Sequence, residues 1–305
     1  MMYLGWMPPY QVTYVDLNEE RTVVIDPIEE ASSGLHTIVI PFGQQMFYLV
    51  EARSDPDLPQ QGVLVYRVDN ASISPRILVE DANASTSTFW DAAFQFAPDR
   101  VPAFVDPSLD LAIIVLDNSS NQYRLLIGPA SKGNEAMAAA KSIYSLIDAI
   151  QNSEEATGLK FRHATDELRN ASMSYNFADF GHARLAAEKG FIILQSELKS
   201  DSESQILGAE SELNDTWARA ILWGLISPDI GKPRTILSNA AQSYDQGKYI
   251  LAIQLVTKQF EPAIEEARSR YVERLRQIAT YETLGIIIAL IAFMIILIKR
   301  RYGSN

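Results

Sequence analysis

Hydrophobic positions follow two different periods along this 305-residue chain. From Tyr3 to about Ala130 they alternate or form short runs rich in Val, Ile, Tyr and Phe, and Pro, Gly, Asn and Asp interrupt them, as is typical of β-strands. This pattern predicts an antiparallel β-sandwich over residues 1–130. The candidate strands are 11–16, 22–28, 36–42, 45–52, 62–69, 76–80, 111–117 and 123–128.

After Lys132-Gly133-Asn134 the hydrophobic period changes to that of helices, and Ala, Leu, Glu and Lys become frequent. Residues 134–280 are therefore predicted to form an α-helical stalk, in which Asn134 caps the first helix. Pro262 is predicted to kink or restart the last helix. The further helices are predicted at 155–175, 179–198, 203–225, 234–246 and 248–298.

The helical part contains an internal repeat at an offset of 69 residues. LRNASMSYNFADFGHA at 168–183 aligns without gaps with LSNAAQSYDQGKYILA at 237–252, and six of sixteen positions are identical. Each copy is predicted to be a helical hairpin, in which a small residue, Ala183 or Ala252, lets the second helix approach closely. The offset is about twice the 34-residue tetratricopeptide period, so a tetratricopeptide-like stack and two hairpins of one bundle both remain open. The aromatic positions on the two sides of the turn are Tyr175 and Phe180 in the first copy, and Tyr244 and Tyr249 in the second.

The C-terminal region carries a candidate membrane anchor. Thr283 to Ile298 contains no ionisable side chain, whereas soluble helices of this length usually keep one polar stripe. The sequence predicts a transmembrane helix over 281–298 and a cytoplasmic tail over 299–305, because positive residues beside a span stay in the cytoplasm. The basic flank consists of Lys299, Arg300 and Arg301. We therefore expect a single-pass protein of the cell membrane whose N-terminal part lies outside the cell.

Composition supports an extracellular location and excludes some chemistry. The net charge of −12, from 38 acidic and 26 basic residues, argues against a nucleic-acid partner. With no cysteine, the chain has neither disulfides nor thiolate metal sites. Five Asn-x-Ser/Thr sequons precede the anchor and predict a glycoprotein. These candidate glycosylation sites are Asn70, Asn83, Asn118, Asn170 and Asn214.

One segment of the β part resembles a known family. The stretch FYLVEARSDPDLPQQGVLVYRVD, Phe47 to Asp69, is similar to the region after the catalytic site in secreted zinc metallopeptidases of the immune inhibitor A and gametolysin type. That family has a strand ending Tyr-Leu-x-Glu-x-Arg, an acidic loop with Pro, and a Gly-x-Leu-x strand ending in Val-Asp or Ile-Asp. Leu4-Gly5-Trp6 also resembles the end of its catalytic domain, so the likeness covers residues 3–128. The matching positions are Tyr48, Leu49, Glu51, Arg53, Leu58, Pro59, Gly62, Val63, Leu64, Val65, Val68 and Asp69.

The catalytic helix of that family has no counterpart in this chain. Tyr66 and Arg67 replace the family's common Trp-His, and no H-E-x-x-H motif occurs. The only histidines are His36, His163 and His182, and none has another histidine four positions later. A hydrolytic zinc needs two such ligands, so we expect no catalytic residue and no resident cofactor in this chain. We expect the chain alone not to be an enzyme, and metallopeptidase activity to require an upstream catalytic part. Because the N-terminus also lacks a signal-peptide pattern, we expect the sequence to begin part-way along a longer protein.

These observations favour a membrane-anchored extracellular protein that binds and presents a partner, resembling the non-catalytic C-terminal part of a metallopeptidase. The expected partners are membrane lipid and either another cell-surface protein or an upstream metallopeptidase domain. Two alternatives remain open: the C-terminal fragment of an intact membrane-bound zinc metallopeptidase, and a structural cell-envelope stalk of the surface-layer type.

Acidic loops of the β part are candidate calcium ligands. Carboxylate oxygens collected around a loop are what Ca²⁺ prefers, although aspartate is also an ordinary turn residue and no EF-hand spacing occurs. Calcium is thus the one cofactor that the sequence leaves open. The candidate ligands are Asp55, Asp57, Glu80, Asp81 and Asp91.

Overall fold

The computed structural model describes residues 8–54, 61–71, 76–86, 91–118, 121–222 and 229–302. The chain forms two compact units. The first combines Met1–Asn152 with Lys160–Leu194, and the second combines Ser153–Leu159 with Gln195–Asn305. The β region therefore shares its unit with the first helices.

The first unit contains two β-sheets. The strands are β1 Val12–Tyr14, β2 Arg21–Ile25, β3 Thr37–Pro41, β4 Met46–Arg53, β5 Gly62–Asp69, β6 Arg76–Glu80, β7 Ala103–Asp106, β8 Leu111–Asp117 and β9 Tyr123–Gly128. The five-stranded sheet has the order β1-β3-β4-β5-β6, in which only β1 and β3 are parallel, and the four-stranded sheet has the antiparallel order β2-β9-β8-β7. The predicted N-terminal β region is confirmed, and β5, β6, β8 and β9 have the predicted bounds.

Both sheets contribute side chains to one hydrophobic core. Alternate residues of β3, β4 and β5 meet alternate residues of β8 and β9, as expected when each sheet turns one face inward. Its largest fully buried members include Tyr48, Ile25, Ile38, Ile40, Leu111 and Ile113.

Strand β8 is buried on both of its faces. Leu111, Ile113 and Val115 point into the shared core, whereas the intervening residues are covered from the other side. At Gly133 a Cβ atom would overlap the side chains of Val105 and Ala112, so the helix that carries it lies directly against this sheet. A strand covered on both faces carries apolar residues at consecutive positions, and the segment LAIIVL of β8 is such a run.

Six helices lie in the described part of the chain. They are α1 Ala130–Thr157, α2 Arg162–Asn176, α3 Phe180–Leu222, α4 Gly231–Asp245, α5 Tyr249–Leu255 and α6 Glu261–Tyr302. The predicted start at Asn134 is wrong, because the Asp110 carboxylate accepts the Ala130 N–H at 3.0 Å and the helix begins there. The predicted helices 179–198 and 203–225 are one helix, α3, since no Gly or Pro interrupts residues 199–205. A π-helical turn, Val256–Phe260, precedes Pro262 and separates α5 from α6.

The turns after α2 and α4 have the same hydrogen bonds. In the first turn Asp179 N–H donates to Ser174 O at 2.9 Å and Ala178 N–H donates to Tyr175 O at 2.9 Å. The equivalent bonds of the second turn, from Lys248 to Ser243 and from Gly247 to Tyr244, measure 2.9 and 2.8 Å. This pair of bonds is the Schellman closure of a helix C-terminus. In both turns the two aromatic rings pack across the bend, with centroids 5.1 Å apart for Tyr175 and Phe180 and 5.5 Å apart for Tyr244 and Tyr249.

The two turns differ in the residue that adopts the left-handed conformation. This residue is Gly247 in the second turn, with φ of 72°, but Ala178 in the first, with φ of 61°. Only glycine takes this conformation without steric cost. We therefore expect Ala178→Gly to raise the free energy of unfolding by about 1 kcal/mol and Gly247→Ala to lower it by a similar amount. Chemical denaturation in detergent measures both changes, and a loss of stability in Ala178→Gly would contradict the expectation.

Candidate functional site

Helix α6 contains the candidate membrane span. It is long and apolar enough to cross a bilayer, and none of its most apolar 18-residue window is buried against protein. Between Leu284 and Met294 every large apolar side chain is roughly half exposed or more, from 47% at Ile287 to 62% at Ile286. A buried core helix would cover at least one face, so this exposed apolar surface is consistent with membrane anchoring.

The first turns of α6 belong instead to the core of the second unit. Ala263 and Ile264 pack against apolar residues of α3 and α4, together with Phe260 from the π-helical turn just before α6. Phe260 and Ile264 are fully buried. Arg268 then joins α6 to α3: its guanidinium lies 2.9 Å from Glu212 and donates to Thr216 Oγ1 at 3.1 and 3.2 Å. One helix is thus protein core at its start and bare apolar surface further along, which connects the folded second unit directly to the candidate span.

A polar cluster closes the loop between β2 and β3. His36 is buried, and its Nδ1 lies 3.2 and 3.0 Å from the carbonyl oxygens of Asp26 and Pro27. Its Nε2 lies 3.4 Å from Ser32 Oγ, which in turn donates to the Asp26 carboxylate. Gln122 Nε2 donates to the other carboxylate oxygen of Asp26 at 2.7 Å.

Ser32, His36 and Asp26 do not have the arrangement of a hydrolase triad. In a triad the carboxylate holds the histidine nitrogen that faces away from the serine, whereas here that nitrogen faces main-chain carbonyls and Asp26 contacts the serine. Gly34 packs so closely that a Cβ atom would overlap Asp26 Oδ2. The cluster therefore fixes the loop conformation. The sequence places Asp26, Ser32 and His36 within eleven positions, but nothing in it indicates that Gln122 joins them.

Glu51 and Arg53, two of the residues that carry the metallopeptidase resemblance, form a second polar cluster with Tyr66. Glu51 is only 4% exposed and accepts hydrogen bonds from Arg53 at 3.0 and 2.7 Å and from Tyr66 at 2.7 Å. Burial raises the pKa of Tyr66, and the Glu51 carboxylate raises it further, so the phenol stays protonated and donates. Arg53 also lies 3.6 Å from Glu29. Glu51 and Arg53 pair on one face of β4, and the hydrogen bond from Tyr66 to Glu51 ties β5 to β4.

Two of the acidic calcium candidates, Asp81 and Asp91, accept hydrogen bonds within their loop. Asp81 Oδ1 accepts the Asn83 N–H at 2.9 Å, and Asp91 accepts Asn83 Nδ2 at 2.6 Å and Thr86 Oγ1 at 2.8 Å. The hydrogen bond from the Thr86 hydroxyl lowers the pKa of Asp91, and the bond from Asn83 lowers it by a smaller amount. Asp55 and Asp57 lie outside the described residues.

Glu80 interacts with charged residues other than those near Asp81 and Asp91, namely Arg67 and Asp106. Burial raises the pKa of Glu80, and Asp106 raises it further, although Arg67 acts in the opposite direction. Across the residues that the structure describes, no three His, Cys, Asp or Glu side chains come together in a way that could hold a metal ion. Calcium binding therefore stays a prediction.

The predicted glycosylation sites differ in accessibility. Asn118, Asn170 and Asn214 are exposed, the last two within α2 and α3, whereas Asn70 and Asn83 are half-buried. The Asn83 side-chain amide donates to Asp91, and its Oδ1 accepts a hydrogen bond from the Ser85 hydroxyl. Asn118 thus offers the attachment point that is both exposed and outside regular structure.

Comparison with known proteins identified no relative. No protein-family model matches the chain, and neither a curated protein nor a solved structure matches it. The resemblance to metallopeptidases therefore stays a prediction that rests on residues 3–128 of the sequence alone.

Proposed function

We propose that this chain is a single-pass cell-surface protein that binds a partner outside the cell and presents it close to the membrane. The observation that carries the proposal is α6, whose first turns are core of a folded unit and whose apolar continuation is bare. Such a helix holds the rest of the chain at a bilayer, because transferring this much apolar surface from lipid to water is strongly unfavourable.

The orientation follows from the charges that flank the span. Lys299, Arg300 and Arg301 lie directly after the apolar segment, and basic residues within a few positions of a span are retained in the cytoplasm. The remaining chain, with 23 basic and 38 acidic residues, is then outside. In this arrangement the five sequons lie on the side of the membrane where glycans are added.

The outer part of the molecule is suited to binding. We interpret the two sheets with their shared core as a β-sandwich, and the two Schellman-closed turns as copies of one helical hairpin in a tetratricopeptide-like stalk. Such folds hold binding loops and helix faces in fixed positions. The resemblance at Phe47–Asp69 favours a catalytic partner or its substrate as the molecule presented.

Affinity purification with quantification of the co-purified proteins tests whether the chain presents a partner. We expect affinity purification of the full chain from a mild detergent extract to recover one cell-surface partner, a metallopeptidase or its substrate, in comparable molar amount. The control is the same chain with Ile288→Arg and Ile291→Arg, which should not reach the membrane and should recover less of that partner. Recovery without any surface partner would contradict presentation, and recovery of the chain alone as an abundant ordered assembly would favour a structural stalk.

The metallopeptidase alternative makes a different prediction. If the chain is the C-terminal part of an intact membrane-bound enzyme, an antibody against residues 130–157 should detect a larger polypeptide in native membranes. That polypeptide should hydrolyse protein substrates in a zinc-dependent manner. Detection of a species of about 34.0 kDa before any glycan is added would contradict this alternative.

A further inference from the structure

Strand β6 forms one edge of the five-stranded sheet and carries uncovered apolar side chains. It pairs with β5 on one side, and no strand in the described part of the chain pairs with its other side. Ile77 and Leu78 are 65% and 57% exposed and point to opposite faces of the sheet. An exposed apolar edge strand is a template for adding another strand, and soluble proteins usually protect such edges.

The sequence of β6 is complementary to itself in the antiparallel direction. It reads Arg76-Ile77-Leu78-Val79-Glu80, so pairing with a second copy about Leu78 places each Arg76 opposite the other copy's Glu80. Ile77 then lies opposite Val79, and the two Leu78 residues face each other. Opposite charges and apolar pairs that directly face each other both stabilise antiparallel sheets.

The observed register supports this pairing. Arg76, Leu78 and Glu80 lie opposite Asp69, Arg67 and Val65 of β5, so they share one face of the sheet. Directly opposite residues in an antiparallel pair also share a face, so each arginine would lie on the same side as its glutamate partner. The other edge of this sheet, β1, offers only three residues, Val12–Tyr14, and no charge.

We infer that β6 is the docking surface for a second copy of this chain. Two five-stranded sheets join edge to edge about a two-fold axis, in the self-complementary contact of a symmetric dimer. Two strands of five residues bury less than the roughly 1,200 Å² of ordinary stable complexes, so the dimer forms reversibly with concentration. The inference rests on β6 alone and is independent of the membrane orientation and of any presented partner.

Cross-linking through single cysteines tests the register directly. The chain has no cysteine, so Leu78→Cys in the full chain, purified in detergent, reports on one position. The matched control is Leu185→Cys, because Leu185 is also a leucine of the first unit and is also 57% exposed. With a short bifunctional maleimide we expect Leu78→Cys to give about tenfold more dimer than the control, since facing Cβ atoms lie about 5 Å apart. Equal or lower yield from Leu78→Cys would overturn the inference.

A charge exchange provides a second test that does not depend on cysteine reactivity. Arg76→Glu places like charges opposite each other twice and should weaken dimerisation about tenfold, measured by light scattering of the detergent-solubilised chain. The double variant Arg76→Glu with Glu80→Arg restores both pairs with reversed polarity and should recover the dimer. An unchanged dimer in Arg76→Glu, or a wild-type chain that stays monomeric at every concentration, would overturn the inference. So would a folded double variant that is as weak as the single one.

Discussion

Replacing both Ile288 and Ile291 with arginine should transfer the whole chain from the membrane pellet to the aqueous fraction after carbonate washing. Both positions lie near the middle of the apolar part of α6 and are 58% and 54% exposed, so each side chain faces lipid in the proposed arrangement. An arginine near the centre of a span costs about 2.5–3.5 kcal/mol on insertion scales, and two such costs outweigh much of the gain from the remaining apolar residues. Immunoblotting of the two fractions measures the effect.

The control for this prediction uses exposed leucines on another helix. Leu185 and Leu207 of α3 are each 57% exposed, and the double substitution Leu185→Arg with Leu207→Arg adds the same charge outside the span. This variant should remain in the pellet as the wild type does. Transfer of the wild-type chain to the aqueous fraction, or retention of the Ile288→Arg, Ile291→Arg variant in the pellet, would contradict a lipid environment for α6.

Tyr175→Ala should cause the largest loss of stability of any single substitution in the repeated turns. Tyr175 is fully buried, its ring stacks on Phe96 with centroids 4.1 Å apart, and its hydroxyl lies 3.4 Å from Val115 O. These contacts join α2 to the β region within the first unit. Removing a fully buried aromatic side chain costs about 3–5 kcal/mol, because the cavity collapses only partly. Pulse proteolysis across a urea gradient in detergent measures the loss.

Two variants separate the ring from the other contributions. Tyr175→Phe keeps the stacked ring and loses one long hydrogen bond, so we expect a cost of about 1 kcal/mol or less. Tyr244→Ala removes the equivalent ring of the second turn, which is only half-buried and whose hydroxyl lies 3.3 Å from Glu203. It should cost clearly less than Tyr175→Ala. Equal losses in Tyr175→Ala and Tyr244→Ala would show that the contact with Phe96 contributes little.

Strand positions were largely predictable, because period-two alternation and turn residues mark them locally. Strands β5, β6, β8 and β9 have the predicted bounds. Strand β7, Ala103–Asp106, was not predicted, since only four residues lie between Pro102 and Pro107 and no periodicity can be read from them. The start of α1 at Ala130 depends on Asp110, a tertiary contact that local capping rules cannot include.

The candidate sites were less predictable than the strands. The candidate span depends only on composition over consecutive residues, so the sequence alone was enough to predict it. By contrast, the loop cluster at His36 includes Gln122 from a distant part of the chain, and the packing of Tyr175 on Phe96 joins residues from both periodic regions. Contacts of this kind depend on the three-dimensional arrangement of the sheets and helices.

Labelling of single cysteines in intact cells tests the proposed topology most directly. The cysteine-free chain allows Met173→Cys, at a side chain 52% exposed in α2, and Ser304→Cys, beyond the basic flank, to be examined separately. We predict that a membrane-impermeant maleimide labels Met173→Cys in intact cells and labels Ser304→Cys only after the cells are permeabilised. Labelling of Ser304→Cys in intact cells, or protection of Met173→Cys until permeabilisation, would contradict an extracellular N-terminal part held by α6.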